Sequence, residues 1–370
     1  MASPIRLAAQ VGRVPSMVVP LDSVQERRFA ELMAGLALVD MHQHTMVMPE
    51  SIDDFVAYAD GHAYTWGYDG ARAGRWSLIG IACNMVGVAN VEEGSYLAFA
   101  DLVDEIALLQ ADIARRTNVG VVLRVADAEH AQNNDKLGVL IVAEHLALGD
   151  QPYRVEVLYG LGVRLAGLTY TRKSALGSGQ NEDVDDGLTP LGRDVVRRMN
   201  EVGMVIDLSH AGQRTALDAI AASEAPVVFS HNAAFSLRPT RRTRHDEELL
   251  ACAAQGGLVC VTAVPNSLSD DPRQDINCVL DHYDYLVHLL GEDHIGIGTD
   301  SVVGDHVGFT RALFLPPDAP PPPAPYLNGL ESPADGFNIV RGLIARGYSD
   351  ASIHKIAGEN ALSLLRRVIG

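Results

Sequence analysis

The sequence predicts an α/β protein, a (β/α)8 or TIM barrel with a long excursion after its first strand. Three observations carry that prediction. Eight short apolar runs rich in Val, Ile and Leu recur along the chain, each of a length suited to a buried parallel strand. Segments with helical spacing of apolar residues lie between most of them. Several runs end in a polar or ionisable residue, which is where a barrel carries its active-site groups. From periodicity alone, a doubly wound open sheet is the alternative.

Taken in order, residues 1–34 read as an N-terminal extension and residues 35–370 as the barrel domain. The first strand is Leu36–His42. Residues 45–90 form the excursion, rich in Gly and aromatics (Tyr58, Tyr64, Trp66, Tyr68, Trp76), read as a packed wall or lid at the rim, with direct substrate contact as the second reading. A helix follows in Gly94–Arg115, where Leu97, Ala100, Leu102, Ile106, Leu109 and Ile113 supply the apolar side. The remaining strands are Gly120–Val125, Val139–Glu144, Val163–Thr169, Met204–His210, Val227–His231, Leu258–Val264 and His294–Asp300. Helices are expected over Leu191–Val202, with Gly203 as its stop, and over Gln213–Ser223, Glu247–Gln255 and Cys278–Leu290. Leu315–Tyr326, with Pro320–Pro323, favours an extended polyproline-like surface segment, and an SH3-type ligand role is its minor alternative.

Composition narrows the function. At 370 residues and 47% hydrophobic content the chain can fill a large core, which excludes wholesale disorder. Its 29 Lys+Arg against 47 Asp+Glu leave a net charge of -18, which argues against a nucleic-acid partner and leaves a small polar metabolite open. No apolar run is long enough to span a bilayer, and neither end carries the pattern of a secretory signal or lipid-anchor tail, so no membrane partner is expected. Four cysteines without CxxC spacing suit a cytoplasmic setting rather than a disulfide framework or thiolate zinc site. Gly177-Ser178-Gly179 lacks the third glycine of a dinucleotide fingerprint, Glu182 standing in its place, and no credible GxSxG elbow is present.

The chemistry gathers at strand ends. In Asp40-Met41-His42-Gln43-His44 alternation puts Asp40, His42 and His44 on one face, and two imidazoles so spaced suit a divalent metal. Such a pair in isolation is more often a surface or packing feature, but its place at the end of the first strand reverses the odds. Asp207-Leu208-Ser209-His210 and Phe229-Ser230-His231 put two more histidines at strand ends 21 residues apart, room for one helix between neighbouring strands. Asp300 follows Gly296-Ile297-Gly298-Thr299, and its carboxylate can ligate a metal or hold the attacking water. Glu144 can share its oxygens between two ions, its plain alternative being a helix-start carboxylate. Together these describe two imidazole-rich half-sites joined by a carboxylate, which fits hydrolysis of an amide or related bond, with Asp300 taking the proton and passing it to the leaving amine. Arg238, Arg241, Arg242 and Arg244 form a basic cluster after His231, and one Arg near the metals could hold a substrate carboxylate while the others make surface ion pairs.

These residues resemble the membrane (renal) dipeptidase family of the amidohydrolase superfamily, from about Ala37 to the C-terminus. The likeness rests on Leu188–Arg193, Met199-Asn200, Gly203-Met204, Asp207–His210, Pro226–His231, Gly256-Gly257, His294–Asp300, Gly347–Asp350 and Gly358–Ala361. It implies a TIM barrel that binds two zinc ions and cleaves dipeptides, often with a D-residue at the C-terminal position. Carried over, His42 binds the first zinc, Glu144 bridges, His210 and His231 bind the second, Asp300 sits beside the first, and Arg242 takes the substrate's terminal carboxylate. A homodimer is also implied, since the family is often dimeric.

Three departures stand out. His44 occupies the place of the aspartate in the family's His-x-Asp; it can still ligate, but the site becomes one charge more positive. Tyr170 occupies the place of a histidine near the scissile bond and can donate a hydrogen bond to a developing oxyanion. Ser301–Asp305 replaces Phe-Asp-Gly after Asp300. The readings in order are a zinc dipeptidase, a related metallohydrolase of another small amide, lactam or ester, and a non-catalytic binding protein on the same barrel.

Overall fold

Nine segments of parallel chain in series, with one more alongside, build a single curled sheet. The computed structural model describes residues 4–62, 64–83, 99–305, 308 and 326–370. The strands are β1 (Val39–Val47), β2 (Leu78–Cys83), β3 (Val119–Val121), β4 (Leu137–Ala143), β5 (Val163–Gly167), β6 (Val205–Asp207), β7 (Val228–Asn232), β8 (Leu258–Val261), β9 (Ile295–Ile297) and β10 (Ser301–Val303). They lie in the order β10-β1-β2-β4-β5-β6-β7-β8-β9, with β3 paired to β4 off this path. Every pairing is parallel.

Alternation along each strand feeds two cores. In β4, Val139, Ile141 and Ala143 join the large cluster, whereas Leu140 and Val142 join a smaller one with Leu165, Val205, Val228 and Leu258. Leu364 and Leu365 of the last helix, Asn360–Val368, pack into the smaller cluster. Helices Pro190–Val202, Gln213–Ala222, Asp246–Ala254 and Ile276–Leu290 return the chain between strands, close to their expected bounds. Thr189 caps the first of these and Gly203, at φ 80°, ends it in the left-handed conformation glycine adopts without strain.

The second strand corrects the sequence reading. It is Leu78–Cys83, inside the stretch taken as an excursion, and it pairs residue for residue with β4. The Gly120–Val125 run supplies only the side strand β3, and Val125 already begins a helix, Val125–Asn133. Leu78–Cys83 is as apolar as its neighbours, but it ends in a cysteine where a ligand type was sought. The excursion's aromatics pack as a wall: Tyr58, Trp66, Tyr68 and Trp76 are buried, and the Trp76 indole donates to Pro333 O at 2.8 Å. β1 also runs on past His42 to Val47. Residues 94–98 of the expected Gly94–Arg115 helix and residues 315–325 of the proline-rich segment lie outside the described residues; the described part of that helix is Phe99–Ile113.

The segment before residue 35 packs on the C-terminal part of the chain. Helix Ser23–Gly35 is tied to helix Phe337–Ala345 by the Glu26–Arg341 ion pair at 2.6 Å. Asn338 accepts from Val19 N at 3.0 Å.

The two ends of the sheet are three residues apart in the chain. β9 pairs with β8, β10 pairs with β1, and only residues 298–300 lie between. Gly298 N donates to Val261 O at 3.2 Å and Asp300 N to His42 O at 2.9 Å. A Cβ on Gly298 would stand 1.6 Å from Ser230 O, so only glycine allows that approach. Asp300 itself has φ 56°, a left-handed turn that interrupts the strand where its carboxylate is presented.

Candidate metal centre

The ends of β1, β4, β6 and β7 and the β9–β10 break converge on Glu144. His42 and His44 lie within β1, and His231 within β7. Glu144 directly follows β4, His210 lies three residues past β6, and Asp300 stands between β9 and β10. Except for Asp300, which is partly exposed, all are buried.

Each oxygen of Glu144 faces its own pair of imidazoles. Oε2 is 3.0 Å from His42 Nε2 and 3.5 Å from His44 Nε2. Oε1 is 2.9 Å from His210 Nε2 and 3.8 Å from His231 Nε2. Asp300 Oδ1 is 3.2 Å from His44 Nε2 and 3.8 Å from His42 Nε2, and its Oδ2 is 3.9 Å from His231 Nε2.

Three sets could hold a divalent ion, each with ligand atoms within 4.8 Å of one another: His42, His44 and Glu144; Glu144, His210 and His231; and His42, His231 and Asp300. The imidazole nitrogens face each other at 3.4 Å in the His42–His44 pair and 3.0 Å in the His210–His231 pair. Two nitrogens bound at about 2.0–2.1 Å to one tetrahedral zinc lie about 3.3 Å apart. Glu144 Oε2 is buried, and the imidazoles 3.0 and 3.5 Å away give it no well-aligned hydrogen bond. Buried imidazoles and carboxylates crowded nitrogen to oxygen, with an unsatisfied carboxylate oxygen between them, fit zinc at both places.

Neighbouring groups orient these ligands. Ser230 Oγ lies 2.7 Å from His231 Nδ1 and donates to Asp207. Asp207 also accepts from Ser209 Oγ at 2.6 Å. Asp40, expected to share the ligand face, instead accepts from Thr299 Oγ1 at 2.6 Å and from Gln43 at 2.7 Å, and so ties β1 to the residue before Asp300.

Charge divides the two halves. Burial disfavours a charged His42, but Glu144 beside it prevails and raises it to about 9. His210 is pushed down to about 4 by burial and by the Arg242 charge, and His231 is lowered by burial and by His42. Glu144 and Asp300 are both held well below the usual carboxylate range: burial opposes their charge, but His42 outweighs it at Glu144, and His231 with His44 outweighs it at Asp300.

Of the four arginines, Arg242 reaches the cluster: Nη2 is 3.4 Å from Asp300 Oδ2 and Nη1 donates to Ser209 O at 3.1 Å. Arg238 and Arg241 pair with Asp270 and Asp183 away from it. Arg244 is buried behind His210. The Tyr170 ring lies 4.4 Å from that of His210 and outside the three ligand sets. Sequence reasoning passed over His145, buried beside Glu144, pushed down to about 4 by burial, with its ring 5.6 Å from that of Tyr170. Its adjacency to Glu144 was the available signal.

Known proteins resemble this chain in sequence and fold. The chain is 31% identical over 237 residues to dipeptidase tcpJ of Claviceps purpurea (strain 20.1), covering 63% of this chain and 51% of that one. It thus spans about half the length of the curated relative it matches. An amidohydrolase from Pseudomonas aeruginosa superposes with a TM-score of 0.77 at 26% identity, covering 92% of this chain and 98% of that one. A metallopeptidase from Rhodobacter sphaeroides, liganded with a phosphinate mimic of L-Ala-D-Ala, shares the fold, with a TM-score of 0.70, 19% identity and coverage of 90% and 99%. Residues 26–311 match the membrane dipeptidase family, peptidase family M19, and the chain belongs to that family.

Proposed function

We propose that this chain is a zinc-dependent dipeptidase, accepting dipeptides that include those with a C-terminal D-residue. The observation that carries the reading is the division of Glu144, one oxygen facing His42 and His44, the other facing His210 and His231. When bound, a pair of zinc ions supplies Lewis acidity to the attacking water and the scissile carbonyl.

The chain's own groups do the rest. Asp300, ionised at neutral pH, accepts the proton of the attacking water as oxygen bonds to the carbonyl carbon. It then delivers that proton to the amide nitrogen as the C–N bond breaks. Arg242, partly exposed beside Asp300, presents N–H groups to the terminal carboxylate of the substrate. Tyr170 donates its hydroxyl hydrogen to the developing oxyanion.

A panel of L-L and L-D dipeptides tests the reading, with zinc counted in the same protein. Release of amino acids by protein holding two ions is the expected result. No release from folded, two-zinc protein would overturn the dipeptidase assignment and favour a metallohydrolase of another small amide, lactam or ester. His44, a neutral donor where the family has a carboxylate, is the residue that favours this second reading. Arg242→Ala should raise KM about 10–100-fold for dipeptides with a free carboxylate and affect C-terminally amidated ones much less. Equal losses for both would remove Arg242 from carboxylate recognition.

Two structural readings accompany the function. We infer that β9 and β10 are parts of one eighth strand closing a (β/α)8 barrel, supported by their three-residue separation and the Asp300 to His42 backbone bond. A reducing, cytoplasmic setting is supported by four free cysteines, three of them buried. Among the described residues no helix is long and apolar enough to cross a membrane.

A further inference from the structure

His210 differs from the other imidazoles in how its backbone is held. His42 and His44 lie in β1, whose neighbours β2 and β10 fix its register, and His231 lies in β7 beside β8. β6 ends at Asp207, so His210 stands beyond the sheet ladder. Its loop is held by other groups.

Two of those contacts come from Arg244, beside others from Asn232, Arg242 and Gln180. Arg244 Nη2 donates to Ser209 O at 2.7 Å, and Nη1 donates to Ala211 O, so one guanidinium grips the carbonyls on both sides of His210. Nη2 also donates to Gln180 Oε1 at 3.0 Å, while Gln180 N donates to the carbonyl of His210 itself at 2.9 Å. The charge is answered by Glu248 at 3.1 Å, with the two side chains 3% and 1% exposed. Glu248 is fixed in turn by the His245 N–H at 3.0 Å, in the first turn of helix Asp246–Ala254. Burying an ion pair is costly, and here the loop carbonyls offset part of that cost by accepting from both Nη atoms, while the buried Nε has no hydrogen-bond partner.

We infer that Arg244 is a positioning residue for the second metal half-site, holding His210 at its distance from Glu144 and His231 through the peptide groups on either side. The inference rests on the two-metal reading of the centre. It concerns the backbone of one ligand, whereas Arg242, two residues earlier, faces the substrate side. A lysine cannot replace the guanidinium, because a single ammonium group does not span two carbonyls and an amide oxygen in one plane.

The experiment is metal titration of the full chain with zinc and with cobalt(II), comparing wild type, Arg244→Lys and the double variant Arg244→Leu/Glu248→Leu. The double variant removes both buried charges together, so neither is left unpaired. The expected result is a second ion bound about 10–100-fold more weakly, as for loss of an outer-shell partner. The first ion should be unchanged, and the visible cobalt spectrum should be altered for the second step alone. Folding is checked in each variant by its thermal midpoint. Wild-type affinity and spectrum for both ions in both variants would overturn the inference. So would equal weakening of both ions, or unfolding of both variants, which would make Arg244 a residue of the fold at large. A wild-type protein that takes up fewer than two ions would instead remove the two-metal reading, and this inference with it.

Discussion

The two halves of the metal centre are built by different means. The His42–His44 half lies on a strand paired on both sides, and the turn at Asp300 is stitched to it by the His42 carbonyl. In the other half His231 lies in β7, but His210 stands past a strand end in a loop held by Arg244, Asn232, Gln180 and Arg242. A strand-borne ligand inherits its position from backbone hydrogen bonds that any sequence can make. A loop-borne ligand depends on particular side chains. The first half is therefore most open to damage by backbone crowding, and the second by single polar substitutions.

The largest effect should come where the halves meet. Glu144→Ala removes the carboxylate that gives one oxygen to each imidazole pair, so metal content should fall below one ion per chain and dipeptide hydrolysis to background. Retention of two ions by mass spectrometry would break the shared-carboxylate account. Next, His210→Ala should lose the second ion while keeping the first, and loss of both would show that the halves do not bind separately.

Gly298→Ala attacks the strand-held half through its backbone. The added methyl would meet Ser230 O at 1.6 Å, and relief requires the β9–β10 break to move away from β7. A destabilisation of about 1–3 kcal/mol is expected from denaturant midpoints, together with weaker metal binding. Unchanged stability would show that the segment has slack.

The smallest effect is in the pH dependence of loading. Metal-free His42 is protonated up to about 9, so an ion entering the first half must expel a proton, and its affinity should rise about tenfold per pH unit from 7 to 8.5. His210, at about 4, and His231, lowered below its usual value, are already neutral in that range, so the second half should bind with a nearly flat profile. Calorimetry in buffers of differing ionisation enthalpy checks this, with about one proton released in the first step alone. Equal release in both steps would erase the contrast.

Much of the centre was legible before any coordinates. The His-x-His of β1, the ends at Glu144, His210 and His231, and Asp300 after its glycines are local signals, because residue type and strand alternation are written over a few neighbouring positions. The helices after residue 190 were legible for the same reason, since amphipathic spacing and a terminal Gly203 are short-range features. Leu78–Cys83 escaped although its run is apolar, because it ends in a cysteine rather than a ligand type and its status as the second strand depends on pairing with β4, more than fifty residues on. Alternation alone put Asp40 on the face of His42 and His44, and only the structure shows that Thr299 claims its carboxylate from the far end of the chain.

By itself, then, the sequence determined which side chains were available for the chemistry and the kind of strand or helix that would carry them. Only the tertiary structure decided which imidazole pair faces which oxygen of Glu144, and which of four nearby arginines reaches Asp300. It alone revealed that Arg244 grips the loop of His210. The physical reason is range: side-chain chemistry and backbone preference act over a few residues, whereas a metal centre is a set of distances among strand ends brought together by packing of the whole sheet.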